Sequence, residues 1–343
     1  MPIHPVGGNV AYRHATDHFS RSKAPVFVLG APRSGTTVLY HMLLSAGNFA
    51  VYRAESNVFS VLAPRFGGMR SERDRTELLA HWLKSKLFRV SGLDENEITA
   101  KVVAECRTAG DFLRTFMEAI ARKQHVERWA DCTPDHLLHI AEIKRQIPNA
   151  LVIHIIRDGR DVALSYMRQG WAHPLPWDRN ERLSVAGLYW EWIVRKGRRY
   201  GKDLGPDYYE VRFEDLIARP RETLSGLSEF IAQDLDYDRI QAAAVGSVKE
   251  PNSSFRDDSG EFNPVERWKA KMSASDSSAF DALVGDLLQE LGYPLASAGS
   301  SPNKLKALRL RNTYLPLFGA KQWLKTHTPL GRRVHLGRME MDG

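Results

Sequence analysis

Apolar residues in this chain gather in two short runs, Val26–Gly30, which is unbroken, and Leu151–Ile156, broken only by His154. A continuous apolar run bounded by turn residues marks a strand buried on both faces, and Pro25, Gly30 and the turn Pro148-Asn149 supply those boundaries. Tyr208–Phe213 is a third candidate strand. Apolar residues at helical spacing predict a helix over Thr36–Ala46, closed by Gly47-Asn48, and further helices over Arg73–Phe88, Thr108–Lys123 and Pro134–Gln146. Trp171–Trp192, with Pro174 and Pro176, reads as a loop running into an aromatic-rich helix, and helical patterning resumes at Pro264 and Ser275–Leu291. Val248–Asn263 is polar and reads as a long surface loop, and Ala296–Asn303 is a linker by composition. Strands alternating with helices predict an α/β fold, a parallel sheet flanked by helices in a single large domain. The expected division is an N-terminal segment 1–23, a domain 24–295 and a basic C-terminal tail 304–343.

Composition narrows the picture. The 343 residues suffice for one large domain, and 43% hydrophobic with 26% charged residues is a globular profile. A net charge of +7 favours an anionic partner: a polyphosphate, an acidic glycan, a lipid headgroup or nucleic acid. No aromatic–basic RNA-binding signature accompanies it, so nucleic acid is not expected. Cys106 and Cys132 are the only cysteines, which argues against a disulfide framework or a zinc site. The N-terminus lacks an apolar core of signal-peptide length, and no apolar run approaches ~18 residues, so a cytoplasmic placement is expected. From Lys304 to Arg338 there are nine Lys or Arg and no Asp or Glu, interleaved with Leu, Tyr, Phe and Trp. Such a segment either lies on an anionic membrane surface or packs back on the domain with its charges solvated.

The candidate chemistry begins where the first strand ends. Gly30-x-x-x-x-Gly35-Thr36-Thr37 has the frame of a nucleotide phosphate loop, with Thr36 where the lysine of a triphosphatase belongs. The nearest cation is Arg33, inside the loop. Backbone N–H groups of such a loop and the helix N-terminus behind it cradle phosphate, which makes the sheet P-loop-type. The strand Leu151–Ile156 then runs into Arg157-Asp158-Gly159-Arg160-Asp161, with Ser165 eight residues after Arg157. Arginine grips phosphate in a fork and serine adds a hydroxyl donor; alternatively the four charges form a surface ion-pair cluster. No acid stands on that strand to hold magnesium, which argues against triphosphate chemistry.

Ala31-Pro32-Arg33-Ser34-Gly35-Thr36-Thr37 resembles the 5′-phosphosulfate loop of sulfotransferases that use 3′-phosphoadenosine 5′-phosphosulfate (PAPS), in the branch of tyrosylprotein and bacterial sulfotransferases. The segment Arg157–Ser165 resembles that family's 3′-phosphate motif. Asn263-Pro264-Val265-Glu266-Arg267-Trp268 resembles a late segment in which the cation before tryptophan, here Arg267, meets the same phosphate, with Ser253 and Ser254 in the loop closing over the nucleotide. The resemblance spans roughly residues 25–294. It implies PAPS as donor, no metal, and transfer of a sulfuryl group to a hydroxyl of a glycan, lipid, phenol or tyrosine. It also implies Arg33, Ser34, Gly35, Thr36, Thr37, Arg157, Ser165, Ser253 and Arg267 as cofactor contacts.

Arg33 is expected to stabilise the leaving bisphosphate, and Glu55, 22 residues later, is the candidate base. His41, His136 and His139 rival it by chemistry alone, and an exposed Glu55 paired with Arg53 is the structural alternative. Cys132 occupies a position that in many relatives is lysine. Phe213 stands where tyrosine often does, near adenine or in the core. Trp171, Trp177, Tyr189, Trp190 and Trp192 line an acceptor pocket or, as is expected for Trp190, fill the core. The reading of a different class is a non-catalytic nucleotide-binding module docked to an anionic surface, in which Glu55 would be dispensable.

Overall fold

A computed structural model of the protein describes residues 21–249, 264–296 and 303–333. Four parallel strands form one sheet in the order β2-β1-β3-β4: β1 Val26–Leu29, β2 Ala130–Asp131, β3 Leu151–Ile156 and β4 Tyr208–Arg212. Every residue of β1 and β3 is buried, as near-continuous apolar runs require. Alternation along each strand divides them between two cores. Phe27, Leu29, Val152 and Ile156 face one, and Val26, Val28, Leu151, Ile153 and Ile155 face the other.

Six helices frame the crevice and its surroundings: α1 Thr36–Ser45, α2 Ala109–Lys123, α3 Gly159–Arg168, α4 Arg182–Leu204, α5 Ala274–Glu290 and α6 Lys304–His327. Helix α1 packs on one face of the sheet through Leu39 and Leu43, and α3 on the other through Val162 and Ala163. From β1 the chain leaves towards β2, and from β3 towards β4 on the opposite side. Neighbouring strands with diverging connections open a crevice at their carboxyl ends, and ligands bind there in sheets of this type.

The predicted helix Arg73–Phe88 is two helices, Glu72–Trp82 and Lys86–Ser91, because Ser85 caps the second. Pro134–Gln146 begins as a 3-10 turn over Pro134–His139 and becomes α-helical only from Ile140. The third strand ends at Arg212, and Phe213 opens the helix Phe213–Ala218. Strand β2, too short to show a pattern, was not legible from periodicity. The loop and linker expected around residues 250–263 and 297–302 lie outside the described residues.

Helix α6 packs against α4 and α5, burying Ala307, Leu310 and Tyr314. Its cations are placed by partners on the body: Lys306–Glu181 at 2.6 Å, Arg309–Asp178 at 2.7 Å and Arg311–Glu191 at 2.6 Å. Glu191 is fully buried, so its pairing with Arg311 and Arg195 offsets the cost of burying a carboxylate. The first half of the tail thus belongs to the folded body.

Candidate active site

The loop after β1 is shaped by two close approaches. A Cβ on Gly30 would lie 2.4 Å from the Ile155 carbonyl oxygen, and one on Gly35 would lie 2.2 Å from the Phe213 ring. Arg33 (φ 70°) and Gly35 (φ 93°) are both left-handed, so the backbone curls into an anion-binding nest of N–H groups. Helix α1 follows at once, and no side chain caps its first turn. Its leading N–H groups therefore await an acceptor. Ser34 is fully buried and its Oγ has no hydrogen-bond partner among the described residues. Burial without a partner is costly unless a ligand supplies one. Thr36, at the position of the missing lysine, turns away and bonds the Cys132 thiol.

From β3, Arg157 reaches across the crevice. One of its terminal nitrogens donates to the Arg33 carbonyl oxygen at 3.0 Å and the other to that of Pro264. The guanidinium stacks over Phe213 at 4.5 Å and lies 3.7 Å from Asp161. Arg33 Nε in turn donates to Ser165 Oγ at 3.0 Å, and the Arg267 charge acts on Asp161. Arg33 thus meets Arg157 and Ser165 of the β3–α3 segment at one end of the crevice, and Arg267 lies within electrostatic reach of Asp161 there. Burial holds both the Arg33 and Arg157 guanidinium groups below their usual range. Cations desolvated in this way gain from an added anion. Phe213 is a buried prop beneath the loop and Arg157.

The alternative of a surface ion-pair cluster does not hold. Arg160 is fully buried, forked onto Asp158 at 3.0 and 2.8 Å and stacked 3.7 Å over Trp268. Asp158 also caps α3, and Asp161 accepts from the Trp268 N–H at 2.9 Å. This pair ties the segment after residue 263 to α3. Arg160 is structural and Arg157 faces the crevice. Ser253 and Ser254 lie outside the described residues.

Glu55 is exposed, and its charge reaches the buried Cys132 thiol. Burial, then Glu55 and Asp131, pushes that thiol well above its ordinary range, so it stays protonated. The segment after Glu55 is moored by a network whose role spacing did not disclose. The Asn57 N–H donates to Thr133 Oγ1 at 3.3 Å, and Thr133 donates to Asp131 at 3.3 Å. His136 Nε2 accepts from the Phe59 N–H at 3.0 Å, so its proton sits on Nδ1, 2.9 Å from Asp131. With both nitrogens engaged, His136 is a positioning residue rather than a base. His41 is similarly tied, to Ser247 at 2.7 Å. Among the described residues no group of three or more His, Cys, Asp or Glu is arranged to hold a metal ion.

A cavity of about 350 Å³ adjoins the loop at Pro32. Its walls are Tyr166, Trp171, Tyr189, Trp192 and Phe318, whose rings contact one another at 5.4 to 5.9 Å. Polar groups enter from His139 and from Lys321, Gln322 and Lys325 of α6. Burial lowers the His139 pKa to about 3, leaving a neutral imidazole beside Gln322. Of the sequence-predicted aromatics, Trp171, Tyr189 and Trp192 line this cavity. Trp190 is core, donating to the Arg157 carbonyl at 3.1 Å, and Trp177 is exposed elsewhere. Phe318 was not anticipated, because nothing local in the tail shows that it folds back over α4.

A nest at β1, a forked arginine at β3 and an aromatic cavity beside them lie together at the switch point of an α/β sheet. The sequence model of the Sulfotransferase family matches residues 25–238, and the chain belongs to that family, whose chemistry is sulfuryl transfer. An uncharacterized protein of Aquifex aeolicus (strain VF5) is 24% identical over 266 residues, 72% of this chain, and the chain spans only 31% of that relative's length. Among solved structures, the sulfotransferase domain from the curacin biosynthetic pathway superposes with a TM-score of 0.52 at 15% identity, covering 79% of this chain and 98% of that domain. The sulfotransferase domain from the Synechococcus PCC 7002 olefin synthase aligns with a TM-score of 0.47 at 18% identity, over 85% of this chain and 94% of that domain. The first of these likenesses shows that the fold is that of a sulfotransferase domain.

Proposed function

We propose that the chain transfers the sulfuryl group of PAPS to a hydroxyl of an acceptor with an apolar body. The observation that carries this reading is the meeting of Arg33 with Arg157 and Ser165, Arg267 being within electrostatic reach of Asp161, beside an uncapped helix N-terminus and the unpartnered Ser34 hydroxyl. That set suits a ligand with two separate anionic ends. Ser34, Gly35, Thr37 and the first turn of α1 would hold the 5′-phosphosulfate. Arg157, Ser165 and Arg267 would hold the 3′-phosphate. Thr36, committed to Cys132, contributes its backbone N–H. When bound, the donor supplies an activated sulfur at its 5′ end.

In the transfer the acceptor oxygen forms the new S–O bond as the bond from sulfur to the 5′-phosphate oxygen breaks. Glu55 takes the acceptor proton, and the leaving electron pair stays on the phosphate, where Arg33 and the loop N–H groups meet its growing charge. Cys132, protonated and uncharged, does not take the part of a lysine. The aromatic cavity beside Pro32 would receive the acceptor body, with contacts suited to a ring system or an acyl chain.

Calorimetric titration with adenosine 3′,5′-bisphosphate, beside ATP with magnesium, tests the donor class. Magnesium-independent bisphosphate binding is expected; preference for Mg-ATP would overturn the proposal. Glu55→Gln is expected to keep bisphosphate affinity and to lower transfer of labelled sulfate from PAPS to phenols and hydroxylated acyl compounds by about 100-fold or more.

A further inference from the structure

Helix α6 has two unlike faces. The inner one packs on α4 and α5 and walls the aromatic cavity. The outer one runs through Leu305, Leu308, Asn312, Pro316, Ala320 and Trp323, steps of three and four residues that lie along a single stripe. All six are exposed, with Leu305 at 80% and Trp323 at 56%. Trp177, 72% exposed, stands in the turn whose next residue, Asp178, binds Arg309 of the same helix.

Charge along this element is of one sign. No Asp or Glu occurs between Lys304 and Arg333. Three of its cations are engaged by Glu181, Asp178 and Glu191 of the body. Lys304 at the start of α6, and Arg332 and Arg333 just beyond its end, are exposed and have no carboxylate partner among the described residues. A stripe containing leucine and tryptophan, interrupted by Asn312 and with cations at both of its ends, has the composition of a helix lying at a membrane interface. Two copies paired through this face would set like charges against each other with no acid to offset them.

We propose that the outer face of α6, with Trp177 beside it, docks the protein flat on an anionic lipid bilayer. The same helix then carries the cavity wall on its inner side, so the cavity lies next to the lipid surface. No helix among the described residues is long and apolar enough to cross a membrane, which fits attachment in the interfacial plane.

The test is sedimentation of the full chain with vesicles of phosphatidylcholine containing 30% phosphatidylglycerol, against phosphatidylcholine alone. This readout is independent of nucleotide binding and of transfer. Binding at least about tenfold tighter to the anionic vesicles is expected, weakening as salt rises. Leu305→Ser with Trp323→Ser, and separately Lys304→Glu with Arg332→Glu, are each expected to lower it about tenfold or more. All four side chains are exposed, and circular dichroism with bisphosphate titration verifies that the variants fold. Vesicle binding that is absent, indifferent to lipid charge, or unchanged in both double variants overturns the proposal. So does a concentration-dependent dimer, seen by analytical ultracentrifugation, that Leu305→Ser with Trp323→Ser abolishes.

Discussion

Arg157 joins the two halves of the crevice, and its replacement is the most direct test of how the site works. Its guanidinium bonds the Arg33 carbonyl at 3.0 Å and the Pro264 carbonyl, lies 3.7 Å from Asp161 and stacks 4.5 Å over Phe213. A hydrogen bond from a charged group contributes about 1.5–3 kcal/mol. Arg157 is only 6% exposed, so solvent screening removes little of this. Arg157→Lys keeps the charge, but a single ammonium cannot reproduce the fork between two carbonyls on different segments. Nor can it fork onto a phosphate, and for a phosphate held by this arginine a loss near 2 kcal/mol, about 30-fold in bisphosphate affinity, is expected. Arg157→Ala removes both bonds and leaves the buried Asp161 facing a gap, and about 3 kcal/mol or more, at least about 150-fold, is expected. Calorimetry on both variants, with denaturation curves to separate stability from binding, gives the numbers. If Arg157→Ala binds the bisphosphate within about threefold of the parent, the crevice is not the phosphate site and the role assigned to this arginine is wrong.

Gly35→Ala is expected to lower bisphosphate affinity and the thermal midpoint together, since its Cβ meets Phe213 at 2.2 Å; Gly47→Ala, left-handed at φ 81° but in open space, should carry only a backbone cost of about 1–2 kcal/mol. Equal effects of the two by denaturation and titration would deny the steric account. Burial lowers the pKa of both His139 and His154 from 6.5 to about 3, so below pH 6.5 the unfolded chain takes up protons that the folded chain refuses. Stability should fall as pH falls, by about 2 kcal/mol per histidine at pH 5, and His154→Gln should recover roughly half of the loss in urea denaturation series. An unaltered pH slope would count against it. Cys132→Lys is expected to retain bisphosphate binding, because the new ammonium would be held by the Asp131 and Glu55 carboxylates; lost affinity by calorimetry would contradict that placement.

Much of this molecule is legible along the chain alone. Strand β3 runs over the predicted residues, β1 ends one residue early, and the loop of Arg33 opens a helix as its glycine spacing requires. These features are local: a continuous apolar run must be buried, and a nest needs residues able to take positive φ. The same locality explains the errors. Spacing could not show that Ser85 interrupts one predicted helix, or that two residues, Ala130 and Asp131, suffice to extend the sheet beside β1.

Folding assigns the charges their tasks. Arg157 and Arg160 are alike in sequence, three residues apart, yet one is buried on Asp158 and Trp268 while the other crosses to the Arg33 loop. His136 has the chemistry of a base until Phe59 and Asp131 take both its nitrogens. The tail carries two readings, and the fold packs one face of α6 on the body while leaving the residues of the other exposed. Strands, the glycine loop after β1 and the family were readable from residue order, because each rests on neighbours along the chain. The division of labour among the arginines, histidines and aromatic rings rests largely on contacts between residues distant along the chain, and only the folded chain brings those together.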